Sequence, residues 1–106
     1  MLTHEKQRDE LTVRLSGELD HHTAAAIRQE LDRLLADKRI NRLIFDLRDL
    51  KFMDSSGIGM MIGRYKMMAR RGGSVAVCSC GGQIDRLMEL SGLYRIIEKV
   101  QEEVKK

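Results

Sequence analysis

The stretch FMDSSGIGMMIGRYK, residues 52–66, joins a predicted strand to a predicted helix. An apolar run ends at Asp54, two serines follow, and apolar residues then recur at the three- and four-residue spacing of a helix. Polar oxygens at such a join typically accept backbone N–H groups of the first helical turn. The stretch therefore predicts a buried strand that leads directly into an amphipathic helix, with Ser55 or Ser56 as the N-cap.

Strands and helices alternate along the rest of the chain. Alternating or continuous apolar runs predict strands, and apolar residues at i, i+3 and i+4 predict helices. The predicted strands are 2–6, 11–16, 42–47, 74–79 and a short edge strand at 94–97. The predicted helices cover 23 to about 36, 58 to 71, a segment from about 84 to 91, and a short final helix within 98–106. Asp20 or Thr23 is expected to cap the first helix.

This order predicts an α/β fold in a single domain, residues 1–106, with a mixed and mostly parallel sheet of about five strands flanked by about four helices. Hydrophobic residues make up 42% and charged residues 33% of the chain, a globular balance. No apolar run reaches the roughly 20 residues that a membrane span needs. Two cysteines and the lack of a signal-peptide pattern indicate a cytoplasmic protein.

Charge and aromatic content argue against nucleic-acid binding. The net charge is +3, but basic and acidic residues alternate instead of forming a basic stripe. Only two tyrosines and two phenylalanines are present, so the chain has few rings on which bases could stack. We therefore expect no nucleic-acid partner.

The cysteines and histidines offer only a superficial metal site. Cys78 and Cys80 form a C-x-C pair, whereas His4, His21 and His22 lie far away at spacings that make no second pair. A structural zinc site takes four ligands, usually in recognisable pairs. We expect no bound metal, ordinary thiols, and histidines that are structural or interfacial.

Three glycines follow the serines. Gly57, Gly59 and Gly63 resemble a phosphate-binding loop, but they fit neither the dinucleotide nor the P-loop pattern. Gly59 and Gly63 share one helical face, where glycine costs about 1 kcal/mol relative to alanine. The close approach of another backbone would offset that cost. This second backbone is either that of the domain's own sheet or that of a partner protein. Spacing alone favours the sheet.

The serine pair has a third interpretation besides capping and catalysis. A nucleophilic serine is not indicated, because neither a G-x-S-x-G elbow nor a Ser-His-Asp order is present. A phosphate on an exposed serine adds about −1.5 to −2 charges, which a helix N-terminus tolerates. With Asp54 adjacent and Asp20 at the end of another strand, that charge would repel a docked partner. A regulated hydroxyl is therefore the third interpretation of the serine pair.

Three segments carry a family resemblance: GELDHHTA at 17–24, FMDSSGIG at 52–59 and LSGL at 90–93. In order and spacing they resemble STAS-domain anti-sigma-factor antagonists, particularly the sporulation members, over essentially the whole chain. Such proteins have a small sheet flanked by helices, and they act by binding partners, not as enzymes.

The resemblance implies a partner-switching function. The unphosphorylated protein would bind an anti-sigma factor that is also a serine kinase and so free a sporulation sigma factor. That kinase, which holds ATP and magnesium, would phosphorylate Ser55 and inactivate the antagonist, and a PP2C-type phosphatase would reverse the change. The chain would need no cofactor of its own. The implied partner-binding residues are Asp20, Asp54, Ser56, Gly57, Ile58 and Gly59. The alternatives are a general stress-response antagonist with the same switch, or a nucleotide-binding STAS domain.

Overall fold

The computed structural model describes residues 1–101 and has the predicted α/β architecture. The five strands are β1 (Leu2–Gln7), β2 (Glu10–Leu19), β3 (Arg42–Met53), β4 (Ser74–Cys78) and β5 (Glu98–Lys99). The three α-helices are α1 (Ala24–Leu35), α2 (Ser55–Arg70) and α3 (Gly82–Leu90), and a 3₁₀ helix covers Leu93–Arg95. None of these helices combines the length and the apolarity that crossing a bilayer requires.

The sheet is mixed, and its spatial order follows the chain order from β1 to β5. β1 and β2 form an antiparallel hairpin, whereas the pairs from β2 to β5 are all parallel. A parallel pair needs a crossover, and helices make the crossovers from β2 to β3, from β3 to β4 and from β4 to β5. All strands of the parallel part therefore end at the same edge of the sheet.

The core lies between the sheet and its helices. Val13, Phe45 and Val77 are paired across β2, β3 and β4, and all three are fully buried. The helices contribute their apolar stripes to the same cluster, including Ile27, Leu31, Met61, Met68, Ile84 and Met88. This continuous core fixes where α1 and α2 stand relative to the strand ends.

Two predictions near the C-terminus are wrong or lie outside the described residues. The predicted edge strand at 94–97 is mostly a 3₁₀ helix and the turn after it, and the short edge strand is β5 instead. Leu93 and Ile97, four residues apart, both point into the core, which is a helical spacing; a run this short does not reveal its period from sequence. Of the helix predicted within 98–106, β5 replaces the start, and residues 102–106 lie outside the described part.

Candidate functional site

The candidate site lies where two parallel strands end side by side. Leu19 and Met53, the last residues of β2 and β3, are paired in register. Beyond this pair, the backbone N–H of Asp54 donates to the carbonyl oxygen of Leu19 at 3.2 Å. Asp20 and Asp54 are therefore neighbours at the carboxyl edge of the sheet, where α/β proteins commonly place their functional groups.

Asp54 is the N-cap of α2, so the prediction that a serine caps this helix is wrong. Its backbone is extended, and its carboxylate oxygen Oδ1 accepts a 2.8 Å hydrogen bond from the backbone N–H of Ser56. Its carbonyl oxygen accepts the N–H groups of Gly57 and Ile58. Asp, Ser and Asn are nearly equivalent as caps, and the residue whose backbone stays extended takes the role. Asp54 does so because it directly continues β3.

The two serines lie in different environments. Ser55 is the first residue of α2 and is exposed, and its hydroxyl makes no hydrogen bond within the described part of the chain. Ser56 is half-buried, and its backbone N–H is held by Asp54. The hydroxyl of Ser55 is therefore accessible from outside without the loss of a hydrogen bond among residues 1–101.

The next three residues differ sharply in burial. Gly57 is buried so tightly that a Cβ atom there would lie 2.5 Å from Cγ of Met53 and 3.0 Å from a methyl group of Leu19. Ile58 is 7% exposed and belongs to the core. Gly59 is exposed, and a Cβ atom there would meet nothing within 4 Å. Of these three residues only Gly59 is open to a partner, while the other two support the start of the helix from inside.

Asp20 organises the turn between β2 and α1. Its Oδ1 accepts the backbone N–H groups of His22 at 2.9 Å and Thr23 at 3.1 Å. In return, the Asp20 N–H donates to the Thr23 hydroxyl oxygen at 2.9 Å, a reciprocal arrangement like a capping box. Desolvation acts to raise the pKa of Asp20, but the hydrogen bonds from His22 and Thr23 outweigh it and hold that pKa below its ordinary value. The carboxylate is therefore charged at neutral pH.

Both carboxylates keep one oxygen available. Every hydrogen bond that Asp20 and Asp54 accept through their side chains, among residues 1–101, goes to Oδ1. The second oxygen of each carboxylate has no partner in that part of the chain. The edge thus presents two anionic acceptors beside the exposed hydroxyl of Ser55.

A groove separates α1 from α2 next to this edge, with a volume of about 440 Å³. We call it the α1–α2 groove; it is lined by His21, Ala24, Ala25, Arg28, Ser56, Gly59, Met60, Gly63 and Arg64. Cβ atoms at Gly59 and Gly63 would meet nothing within 4 Å. The expectation that these glycines admit the domain's own sheet is therefore wrong: their face is turned toward the open groove.

Arg64 lies in the wall of this groove although it is only 9% exposed. Its Nη1 is 3.3 Å from Oδ1 of Asp32, yet neither Nη1 nor Nε has a hydrogen-bond acceptor among the described residues. Sequence reasoning missed Arg64. Its spacing could have indicated that it is buried, because this arginine falls between the buried Met61 and Met68 on the inner side of α2.

Comparison with known proteins identifies the family. The sequence model of the STAS domain matches residues 2–106. This chain belongs to the STAS-domain family.

Individual STAS relatives include anti-sigma-factor antagonists. An anti-sigma F factor antagonist of Paenibacillus polymyxa is 42% identical, and the match covers 94% of this chain and 86% of that relative. An anti-sigma-B factor antagonist of Bacillus subtilis strain 168 is 33% identical, over 85% and 81%. The structure of Bacillus SpoIIAA in its phosphorylated form superposes with a TM-score of 0.75 at 27% identity, covering 96% of this chain and 93% of that one. The resemblance to anti-sigma-factor antagonists is confirmed.

The cysteines and histidines of this STAS domain do not form a group of metal ligands among the described residues. Cys78 is buried at the end of β4, and Cys80 is half-buried. Burial is the main cause that raises the pKa of both thiols. The rings of His21 and His22 meet edge to face with their centres 5.6 Å apart. Within residues 1–101, no three His, Cys, Asp or Glu side chains are grouped as a metal ion would need.

A second polar cluster, also missed from sequence, joins the last elements of the STAS domain. The Tyr94 hydroxyl donates to Oδ1 of Asp85 at 2.5 Å, and the Lys99 ammonium group donates to the same oxygen at 2.8 Å. The hydrogen bonds from Lys99 and Tyr94 hold the pKa of Asp85 below its ordinary value. Because these residues come from α3, the 3₁₀ helix and β5, the cluster fastens the edge of the sheet and is structural.

Proposed function

We propose that this STAS domain is an anti-sigma-factor antagonist controlled by phosphorylation of Ser55. In its unphosphorylated form it binds an anti-sigma factor that is also a serine kinase, and so frees a sporulation sigma factor in the cytoplasm. One observation carries the proposal: Ser55 is exposed at the start of α2 with an unengaged hydroxyl, while the capping role belongs to Asp54.

The names of the relatives support this assignment. The relative from Paenibacillus polymyxa, at 42% identity, is an anti-sigma F factor antagonist. A similar fold at 27% identity is that of SpoIIAA, a cell-fate determinant with a structure in a phosphorylated form. The phosphorylated form of SpoIIAA supports a phosphorylated residue in this chain as well.

The physical basis of the switch is a local change of charge. A phosphate on Ser55 adds about −1.5 to −2 charges at a helix N-terminus, where the helix dipole and free N–H groups tolerate negative charge. The domain therefore keeps its fold. A partner that matches the neutral hydroxyl and the carboxylates of Asp20 and Asp54 meets additional negative charge, and like-charge contacts at an interface cost several kcal/mol. A loss of about 3 kcal/mol weakens binding roughly a hundredfold, enough to release the partner.

The position of the two serines favours Ser55 over Ser56 as the substrate. A kinase must bring the hydroxyl into line with the γ-phosphate of its ATP, which requires an accessible side chain. Ser55 is exposed, whereas Ser56 is half-buried and lines the α1–α2 groove. In this proposal ATP and magnesium belong to the partner kinase, a PP2C-type phosphatase restores Ser55, and the STAS domain contributes binding groups alone.

The proposal is tested by incubating the protein with its cognate anti-sigma kinase, ATP and magnesium, and locating the phosphate by mass spectrometry. We expect one phosphate on the wild type, at Ser55, and none on Ser55→Ala. Ser56→Ala is the matched control and should be phosphorylated like the wild type. Equal phosphorylation of Ser55→Ala and the wild type would overturn the assignment.

A general stress-response antagonist is the second candidate, favoured by the anti-sigma-B relative at 33% identity. Its chemistry would be the same, and only the sigma factor would differ. Affinity capture with the tagged STAS domain from the source cells, followed by identification of the kinase and of the sigma factor released, separates the two candidates.

A further inference from the structure

We propose that the α1–α2 groove receives an acidic side chain of the anti-sigma factor, whose carboxylate is bound by Arg64 and Arg28. This inference rests on the proposed function for the identity of the partner. It adds a second contact, of opposite charge, to the one made at Asp20, Asp54 and Ser55.

The shape of the groove is set by residues with little or no side chain. Ala24 and Ala25 line it from α1, and Gly59 and Gly63 line it from α2. Each glycine costs about 1 kcal/mol in a helix relative to alanine, and alanine would fit at either position without a clash. Among residues 1–101, no close contact at Gly59 or Gly63 offsets this cost. The space is therefore explained by a group from outside that approaches the backbone of α2.

The charge of the groove specifies that group. The Arg64 guanidinium is nearly buried, and two of its nitrogens lack a hydrogen-bond acceptor within the described chain. Asp32 neutralises it in part at 3.3 Å, but Arg28 has no ion pair among residues 1–101. Arginine stays charged at all relevant pH values, and a buried charged donor without an acceptor is unfavourable. Two guanidinium groups match a carboxylate in charge and in planar geometry.

The groove is continuous with the edge that carries the proposed phosphorylation site. Ser56 and His21 line one end of it, and they are the chain neighbours of Ser55 and Asp20. A partner that covers Ser55 thus extends over the groove without leaving the surface. The combined surface is negative at the strand ends and positive between the helices, so it also fixes the orientation in which a partner of complementary charge docks.

A side chain suits this groove better than a nucleotide does. Base recognition generally uses stacking on large aromatic rings, and no phenylalanine, tyrosine or tryptophan is among the described residues that line the groove, where His21 is the one ring. A row of small residues instead lets two backbones come close, so that a short acidic side chain reaches the arginines.

Filling the groove is the first test. Gly59→Ala and Gly63→Ala should fold normally, with unfolding temperatures at or above the wild-type value. Each should weaken binding to the anti-sigma kinase by about tenfold, which corresponds to about 1.4 kcal/mol. Gly82→Ala, at the start of α3 where a Cβ atom also meets nothing within 4 Å, is the matched control and should bind like the wild type. Unchanged binding of both groove variants would overturn the inference.

Charge reversal is the second test. Arg28→Glu should weaken the complex by at least about tenfold, and Arg64→Gln should do the same if its circular dichroism spectrum remains that of the wild type. Lysine substitutions at the acidic surface residues of the kinase, tried one at a time, should include one that restores binding to Arg28→Glu while weakening binding to the wild type. If no such lysine exists, the groove does not hold a carboxylate of the partner.

The outcomes separate this inference from the proposed function. If the wild-type protein neither binds the kinase nor is phosphorylated at Ser55, the proposed function fails and the inference fails with it. If the wild type binds and is phosphorylated but the groove variants bind equally well, only the inference fails. Calorimetry could instead detect binding of ATP or GTP to the free protein that Arg28→Glu abolishes. That result would assign the groove to a nucleotide and overturn the proposal that it receives an acidic side chain.

Discussion

The carboxylate of Asp54 accepts the backbone N–H of Ser56 at 2.8 Å, and the residue between them, Ser55, takes no part in this bond. Capping therefore belongs to Asp54, and in the proposed function regulation belongs to the adjacent Ser55. The loss of the Asp54 carboxylate removes the cap, whereas the loss of the Ser55 hydroxyl removes nothing on which α2 depends.

Asp54→Ala should lower the free energy of unfolding by about 1 kcal/mol, the usual effect of removing a side-chain N-cap. Ser55→Ala should change it by less than about 0.5 kcal/mol, as is usual for surface substitutions. Urea denaturation followed by circular dichroism measures both. If Ser55→Ala were the more destabilising change, a serine cap would have to be reinstated.

Ser55→Asp should weaken the complex with the anti-sigma kinase by roughly tenfold or more, because it adds a third carboxylate beside Asp20 and Asp54. Ser55→Asn, nearly identical in size but neutral, is the control and should retain most of the affinity. Titration calorimetry gives the affinities, and circular dichroism should show the same helix content for both variants. A large loss of helix in Ser55→Asp would mean that the charge disrupts α2 instead of repelling the partner.

Gly57→Ala and Gly59→Ala, two residues apart, should change stability in opposite directions. A Cβ atom at position 57 meets Met53 and Leu19 in the core, and overpacking of this kind costs about 1–3 kcal/mol. At position 59 the Cβ atom meets nothing, so alanine should stabilise α2 by about 0.5–1 kcal/mol. The unfolding temperatures of the two variants, measured in parallel with that of the wild type, test this prediction. The same sign for both would contradict the packing around Gly57.

Asp85 should contribute to the acid sensitivity of the domain. Lys99 and Tyr94 lower its folded-state pKa below the ordinary value of 3.8. A lowered carboxylate pKa stabilises the folded state above the unfolded pKa, and this contribution is lost as pH falls through the lower, folded value. Wild type and Asp85→Asn should therefore differ by a constant amount between about pH 5 and 8, and the difference should shrink below about pH 4. A difference that stayed constant down to about pH 2 would argue against a charged Asp85 in the cluster.

The sequence was sufficient for much of this architecture because its strongest signals are periodic. The stripe along α2, the buried run at the start of β3 and the double glycine after Arg71 are local patterns, and the helices and strands follow them. The position of Asp20 and Asp54 at one edge agrees with the general rule for parallel strands, but the register that pairs Leu19 with Met53 is not contained in the sequence pattern.

Other features depend on neighbours that a single sequence does not reveal. Ser55, Ser56 and Asp54 are all good caps, and the backbone at the end of β3 selects among them. The orientation of Gly59 and Gly63 toward the α1–α2 groove depends on how α1 packs, so spacing alone led to the wrong surface. Arg64 likewise has its ion-pair partner, Asp32, on another helix, which the pattern along α2 does not reveal.

The pairing of Leu19 with Met53 also bears on how the protein folds. These residues are separated by the whole of α1 and nearly all of β3, so their contact closes a long loop and has to await the crossover. Non-local pairing of this kind is slow compared with the formation of the helices themselves. A nascent or partly folded chain consequently does not yet hold the carboxylates of Asp20 and Asp54 side by side. The edge exists only in molecules in which β2 and β3 have paired, so in the proposed function binding would also depend on that step of folding.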